Sequence, residues 1–263
     1  MEKPSEILPA AAERTRKQRR MSSQPTPATV ASMLVQANHI LARKQILDAF
    51  GHVSARHPER SDRFLIARSM APALVSAEDI MTLDLSGEPC DGDTRKPFLE
   101  RFIHAAIYKA RPNVGSVVHS HSPAVIPFSV VPRAPLRPIC HTAGFIIDQA
   151  PIFEIREAAG EASDMLISSS DLGTALAQKL GSSSVILMRG HGSTAVAPDI
   201  RLAVYRAIYL EVNARIQSEA MRLGPVIYLN AAEAANIDVV NAAQIERSWD
   251  LWCREIGGPQ RDA

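Results

Sequence analysis

Val117-Val118-His119-Ser120-His121-Ser122-Pro123 ends a short apolar run that begins at Val114. The run reads as a buried strand, and it delivers two imidazoles at positions i and i+2. Side chains two apart on a strand leave the same face about 7 Å apart, which suits two ligands converging on one metal ion. An H-x-H pair alone is weak evidence in a chain with eight histidines, so its weight depends on what accompanies it.

Two features accompany it. Val185-Ile186-Leu187-Met188 reads as a second buried strand, and it runs into Arg189-Gly190-His191-Gly192. Glycines on both sides of His191 permit a sharp turn with positive φ, so a third imidazole can be presented at a strand end. Upstream, Glu100 falls in the first turn of a predicted helix whose buried stripe is Leu99, Ile103, Ala106, Ile107 and Ala110. Three neutral imidazoles and a carboxylate suit Zn²⁺, Mn²⁺, Fe²⁺ or Co²⁺, with a position open to substrate. In the bland reading, Glu100 only favours the helix dipole.

The other elements follow by periodicity. Thr26-Pro27 predicts an N-cap and first helical residue, followed by a helix with Val30, Leu34, Ala37, Ile40 and Leu41 inward. Strands are expected at His52–Arg56, Phe64–Ala67 and Met81–Leu85, and a short helix from Pro123 to Val130. Ser169 or Ser170 caps a helix that stops at Gly181. Pro198-Asp199 opens a long helix to about Leu223, with Leu202, Tyr205, Tyr209, Val212 and Ile216 on one stripe. A last helix from Ile245 to Ile256 carries Trp249 and Trp252 inward. Many connections are too short for parallel crossovers. The expected fold class is therefore α/β, with a mixed, largely antiparallel central sheet covered by helices on both faces.

Composition narrows the function classes. A length of 263 residues, with 46% hydrophobic and 22% charged, fits one sizeable α/β domain. A net charge of +1 gives no reason to expect a nucleic-acid or membrane partner, and no apolar run is long enough to span a bilayer. Cys90, Cys140 and Cys253 are odd in number and scattered, which points to a reducing compartment, by default the cytoplasm. Residues 1–25 carry Arg14, Arg16, Lys17, Arg19 and Arg20 without a signal-peptide core and are expected to be a basic tail; 26–263 form the domain.

Together, His119-Ser-His121, Arg189-Gly-His191-Gly and Glu100 nineteen residues before His119 resemble the class II aldolase/adducin family, over about Val30 to Asn236. The resemblance implies a three-layer α/β/α fold, often a homotetramer with sites at subunit interfaces. It implies one divalent ion on His119, His121 and His191, with Glu100 as a further ligand or as acid/base. Adducins, which lack the metal site, lack those histidines.

The departures from the family are also informative. Sugar-phosphate members hold phosphate with an Asn after the Gly, a Thr/Ser-Gly turn and a Ser-Ser pair before the glutamate. Here those places read His52, Arg68-Ser69-Met70-Ala71 and Phe98-Leu99. Apolar replacements leave a dianion's oxygens unpaired at about 1–3 kcal/mol each, so a sugar phosphate is not expected. Gly51-His52-Val-Ser-Ala-Arg56 with Phe98-Leu-Glu-Arg-Phe-Ile-His104 resembles the decarboxylase branch, whose members act on hydroxylated aromatic or pyridine dicarboxylates. That implies a small aromatic carboxylate substrate and metal-assisted loss of CO₂. Glu100 and His141 are the candidate proton donors. Among cations for a second carboxylate, Arg68 is preferred over Arg56 and Arg95, with Ser69 and His52 as further substrate contacts. His52 reads equally as a core residue, and His104 as packing or interface. Remaining alternatives are an aldolase or epimerase on a non-phosphorylated carbonyl, an Fe²⁺ oxygenase, or an adducin-like binding module.

Overall fold

Thr26 caps the first helix: its hydroxyl accepts the Thr29 N–H at 3.2 Å, and Pro27 takes the first turn. The computed structural model describes residues 25–257, and the expected basic tail lies outside the described residues but for Pro25. In chain order the helices are α1 (Pro27–Arg43), α2 (Arg101–Ala110), α3 (Ile126–Val130), α4 (Arg156–Ala159), α5 (Ser170–Leu180), α6 (Ile200–Leu223), α7 (Ala231–Ala242) and α8 (Ile245–Gly257). The strands are β1 (His52–Arg56), β2 (Arg63–Ala67), β3 (Ile80–Asp84), β4 (Ser116–Ser120), β5 (Ile152–Phe153), β6 (Val185–Met188) and β7 (Gly192–Ala197). They form one seven-stranded sheet in the order β3-β2-β1-β4-β7-β6-β5. Only the short β5 pairs parallel; every other neighbour is antiparallel, as the short connections require.

Alternation along the strands builds two cores. Val53, Ala55, Val118, Leu187 and Ala195 face one side, where they meet residues of α1, α6 and α8, including Trp249 and Trp252. Val117, Ile186, Met188 and Val196 face the other, with Ile103, Ile107 and Leu176 from α2 and α5. This is the three-layer α/β/α arrangement. It also sets the site: His119 lies two residues beyond Val117, and so on the α2 face of the sheet.

Four local expectations fail, each for a tertiary reason. Leu99 is 57% exposed and Ala110 is also exposed, because α2 begins only at Arg101 and frays into solvent at its end. Ile216 is 41% exposed, because the second half of α6 runs past the sheet. Glu100 is the residue before α2, with ψ near 20° and no capping bond, rather than part of its first turn. Strands β5 and β7 and helix α7 have no counterpart in the periodicity. In β7, Gly-Ser-Thr-Ala resembles a turn, yet every residue is buried.

The small residues of β7 reflect close packing. A Cβ on Gly192 would sit 2.1 Å from the Ser120 carbonyl oxygen of the neighbouring strand. Gly192→Ala is therefore expected to force β4 and β7 apart beside His121 and His191, destabilising the protein by about 1–3 kcal/mol. Chemical denaturation measures this. Gly190, by contrast, adopts φ 65°, the left-handed turn predicted ahead of His191.

Candidate metal centre

Three strand ends bring the imidazoles together. His119 comes from β4, His121 from the residue after it, and His191 from the turn between β6 and β7. His119 Nε2 lies 3.2 Å from His121 Nε2, and His191 Nε2 lies 3.0 Å from the same atom. The Glu100 carboxylate completes the group: Oε2 is 3.4 Å from His119 Nε2 and 3.5 Å from His191 Nε2. One ligand atom from each of the four residues lies within 4.8 Å of all the others.

The surrounding backbone fixes which nitrogen each ring offers. His119 Nδ1–H donates to the Ser193 carbonyl at 3.1 Å, and His191 Nδ1–H donates to the Met165 carbonyl at 2.9 Å. Both Nε2 atoms therefore turn lone pairs toward His121. Glu100 is oriented likewise, since its Oε1 accepts the Ile167 N–H at 3.1 Å and Oε2 is left facing the histidines. Lone pairs crowded this closely repel one another unless a cation lies between them. Ligands about 2.1 Å from an ion stand roughly 3.0–3.4 Å apart, so the donor set fits a divalent metal.

Electrostatics favour the same arrangement. Burial alone would raise the Glu100 carboxyl, but the His119 and His191 imidazoles outweigh it and hold the carboxyl below the usual carboxylate range. Burial would lower His191, and Glu100 overcomes it to hold that imidazole above its ordinary value. His121 is pushed down to about 4 by burial, with His119 and His191 adding to the effect. Deeper in, burial lowers His104 to about 3 and takes His52 well down.

These shifts set a pH dependence. In the unfolded chain His52, His104 and His121 titrate near 6.5. Between pH 6.5 and about 4 the unfolded state therefore binds more protons than the folded one at these three sites, and stability rises with pH across that window. His191 alone opposes the trend. The ion-free protein is expected to lose on the order of 1 kcal/mol per pH unit per group on acidification from pH 6.5 toward 5. Thermal melts across that range measure it, and a flat or rising Tm on acidification contradicts it.

A cavity of about 330 Å³ opens at the site, lined by Phe50, His52, Ser69, Phe98, Glu100 and His121 among others. Its walls are largely apolar, with Met70, Leu99 and Leu166 contributing and the Phe50 ring stacked 6.2 Å from His121. Of the sequence candidates, His52, Ser69, Glu100 and His121 line it, and Glu100 and His121 join it to His119 and His191, the two members of the metal-facing group that stand behind the lining. Arg68 does not line the cavity: its Nε donates to Asp79 Oδ1 at 2.7 Å, facing the start of β3. Arg56 is spent on the carbonyls of Ser61, Tyr108, Val114 and Arg111, and Arg95 on Asp93 and the Ile80 carbonyl. His141 is exposed at the start of the 3₁₀ turn His141–Ile146 and does not line the cavity. Sequence reasoning missed the Ser193 and Met165 carbonyls, the Ile167 N–H and Phe50. A main-chain group leaves no mark in residue type, and Phe50 lies between the first helix and β1 with no periodicity to single it out.

Residues 32–218 match the class II aldolase and adducin N-terminal domain. The chain is 37% identical over 254 residues to decarboxylase tropJ of Talaromyces stipitatus, covering 88% of this chain and 95% of that one. It is 28% identical over 213 residues to 3,4-dihydroxyphthalate decarboxylase of Arthrobacter keyseri, covering 76% and 82%. Among solved structures, L-fuculose 1-phosphate aldolase from Glaciozyma antarctica superposes with a TM-score of 0.71 at 24% identity, covering 97% and 93%, a likeness of fold.

Proposed function

The chain belongs to the class II aldolase and adducin family, and from that premise we propose that it is a divalent-metal-dependent decarboxylase of a hydroxylated aromatic carboxylate. It is an enzyme of the carbon–carbon lyase class. The observation that carries the reading is the convergence of His119, His121 and His191 Nε2 with Glu100 Oε2 beneath an apolar-walled cavity. Adducin-like binding without a metal gives no reason for two imidazole lone pairs and a carboxylate oxygen to be oriented toward a third imidazole.

A divalent ion held by these four residues would supply a Lewis acid for the electron pair left on the ring when CO₂ departs. The protein does the rest. Phe50, Phe98 and Leu166 give a planar ring apolar contact and exclude water from the reacting carbon. The balanced step takes one ring carboxylate and one proton to the protonated ring and CO₂. Of the two candidate donors only Glu100 reaches the cavity within one chain, and because the imidazoles hold it ionised it would pass on a proton taken from solvent rather than store one. His141 serves only where an oligomer carries it to a neighbour's cavity. Exposed Leu223 and Ile227, more than nine-tenths accessible, support association into a homo-oligomer such as a tetramer. Arg56 and Arg95 are engaged elsewhere, whereas Arg68 binds Asp79 through Nε alone and its neighbour Ser69 lines the cavity, so Arg68 stays the cation proposed for a second ring carboxylate. The three cysteines are free thiols, which supports a reducing compartment such as the cytoplasm. Among the described residues no helix is long and apolar enough to cross a membrane.

The test is anaerobic incubation with ortho-hydroxy aromatic mono- and dicarboxylates, with Mn²⁺, Zn²⁺, Co²⁺ or Fe²⁺ supplied. Metal-dependent CO₂ release without O₂ is expected. Aldehyde release from hydroxy-ketones instead would return the chain to the aldolases, and a requirement for O₂ would make it an oxygenase.

A further inference from the structure

Behind the cavity wall a hydrogen-bonded chain runs into the core between the sheet and α2. His52 Nδ1 is 2.7 Å from His104 Nε2, His104 Nδ1 is 2.6 Å from Ser54 Oγ, and Ser54 Oγ is 2.8 Å from the Tyr108 hydroxyl. All four residues are buried, Ser54 and His104 completely. None of the chain is assigned a role by the metal site.

Hydrogen counting gives the chain a direction. Among the described residues, Ser54 Oγ is the only acceptor for the Tyr108 hydroxyl hydrogen; the other neighbour, the Val117 backbone N–H, can only donate. If Ser54 donated to Tyr108, the tyrosine hydrogen would be left unpaired in the core, which native structures avoid. Tyr108 therefore donates to Ser54. The one Ser54 hydrogen then goes to His104 Nδ1, which must be a bare acceptor. The ring hydrogen of His104 sits on Nε2 and is donated to His52 Nδ1. His52 is left with its hydrogen on Nε2, an atom that makes no hydrogen bond among the described residues, on a ring that lines the cavity. Two ring nitrogens 2.7 Å apart share a single hydrogen, and neither buried ring has a carboxylate bonded to it, so each is neutral and carries one hydrogen.

We propose that His52 is a specificity-determining donor whose Nε2–H is aimed at an oxygen of the bound ligand, with Tyr108, Ser54 and His104 as positioning residues that fix its tautomer. The His52 ring centroid is 5.1 Å from that of His119 and 4.6 Å from that of Phe98, so the donor stands between the metal-facing group and the apolar wall. The ligand class is an aromatic ring bearing a carboxylate or phenolate oxygen near the metal-bound group. That ligand class rests on the decarboxylase reading, whereas the direction of the chain does not.

The test is a long-range ¹H–¹⁵N correlation on the full-length, ¹⁵N-labelled protein with Zn²⁺ supplied, the His52 signals being assigned by their loss in His52→Gln. His52 is expected to be protonated at Nε2 and bare at Nδ1. A hydrogen on Nδ1 would overturn the proposal. Ser54→Ala cuts the link that orients His104 and is expected to give a second His52 species protonated at Nδ1; an unchanged spectrum would show that the chain does not set the tautomer. Calorimetry with 2-hydroxybenzoate supplies the binding arm. His52→Leu is expected to weaken its binding about tenfold or more. His52→Gln, whose amide nitrogen reaches a similar place, is expected to recover most of that loss. Equal affinity in wild type and His52→Leu, or no binding by wild type, would overturn the assigned ligand. If binding and tautomer behave as stated while no aromatic acid loses CO₂, the decarboxylase reading fails and the donor stands.

Discussion

His119→Ala is expected to reduce metal-dependent CO₂ release below about one hundredth of wild type while the protein still folds. His119 Nε2 faces both His121 and Glu100, and its ring is locked by the Ser193 carbonyl. The remaining two imidazoles and the carboxylate stay clustered, but three donors in a site open to solvent hold an ion far more weakly than four. The substitution removes a buried ring and costs about 2–4 kcal/mol, so circular dichroism should be unchanged while the Tm falls. Added Zn²⁺ or Mn²⁺, which should raise the Tm of the wild type, should no longer do so. Wild-type turnover in His119→Ala would remove the metal from the mechanism.

Glu100→Gln is expected to have the second largest effect, weakening the bound ion about 10- to 100-fold. The amide oxygen can still accept the Ile167 N–H, so the shape of the site survives and only the negative charge is lost. That charge is what lifts His191 above its ordinary value against burial. Its loss should therefore lower the pH at which the ion-free site takes up a proton. Chelator competition measures the affinity, and histidine NMR across pH 5–8 measures the proton. An unchanged affinity with a large fall in turnover at saturating metal would make Glu100 a proton donor rather than a ligand.

The three candidate metal-binding histidines were legible because each lies where local pattern is strong. An apolar strand runs directly into His119 and His121, and a glycine turn after Met188 presents His191. The two faces of the sheet could likewise be read from alternation in Val117-Val118 and Ile186-Leu187. What escaped was set by partners distant in sequence. Arg68 looked like an unengaged cation until β2 and the turn before β3 brought Asp79 to its Nε. Strand β7 was hidden because its small residues answer to the Ser120 carbonyl across the sheet rather than to β-propensity. The His52–His104 contact joins positions 52 residues apart through the packing of β1 on α2, and no periodicity encodes it.

Diffraction from crystals grown with Zn²⁺ or Mn²⁺, recorded at the absorption edge of the ion, tests the centre most directly. One anomalous peak per chain is expected, about 2.0–2.3 Å from Nε2 of His119, His121 and His191. A peak elsewhere, or none at that position with the ion in excess, would contradict it.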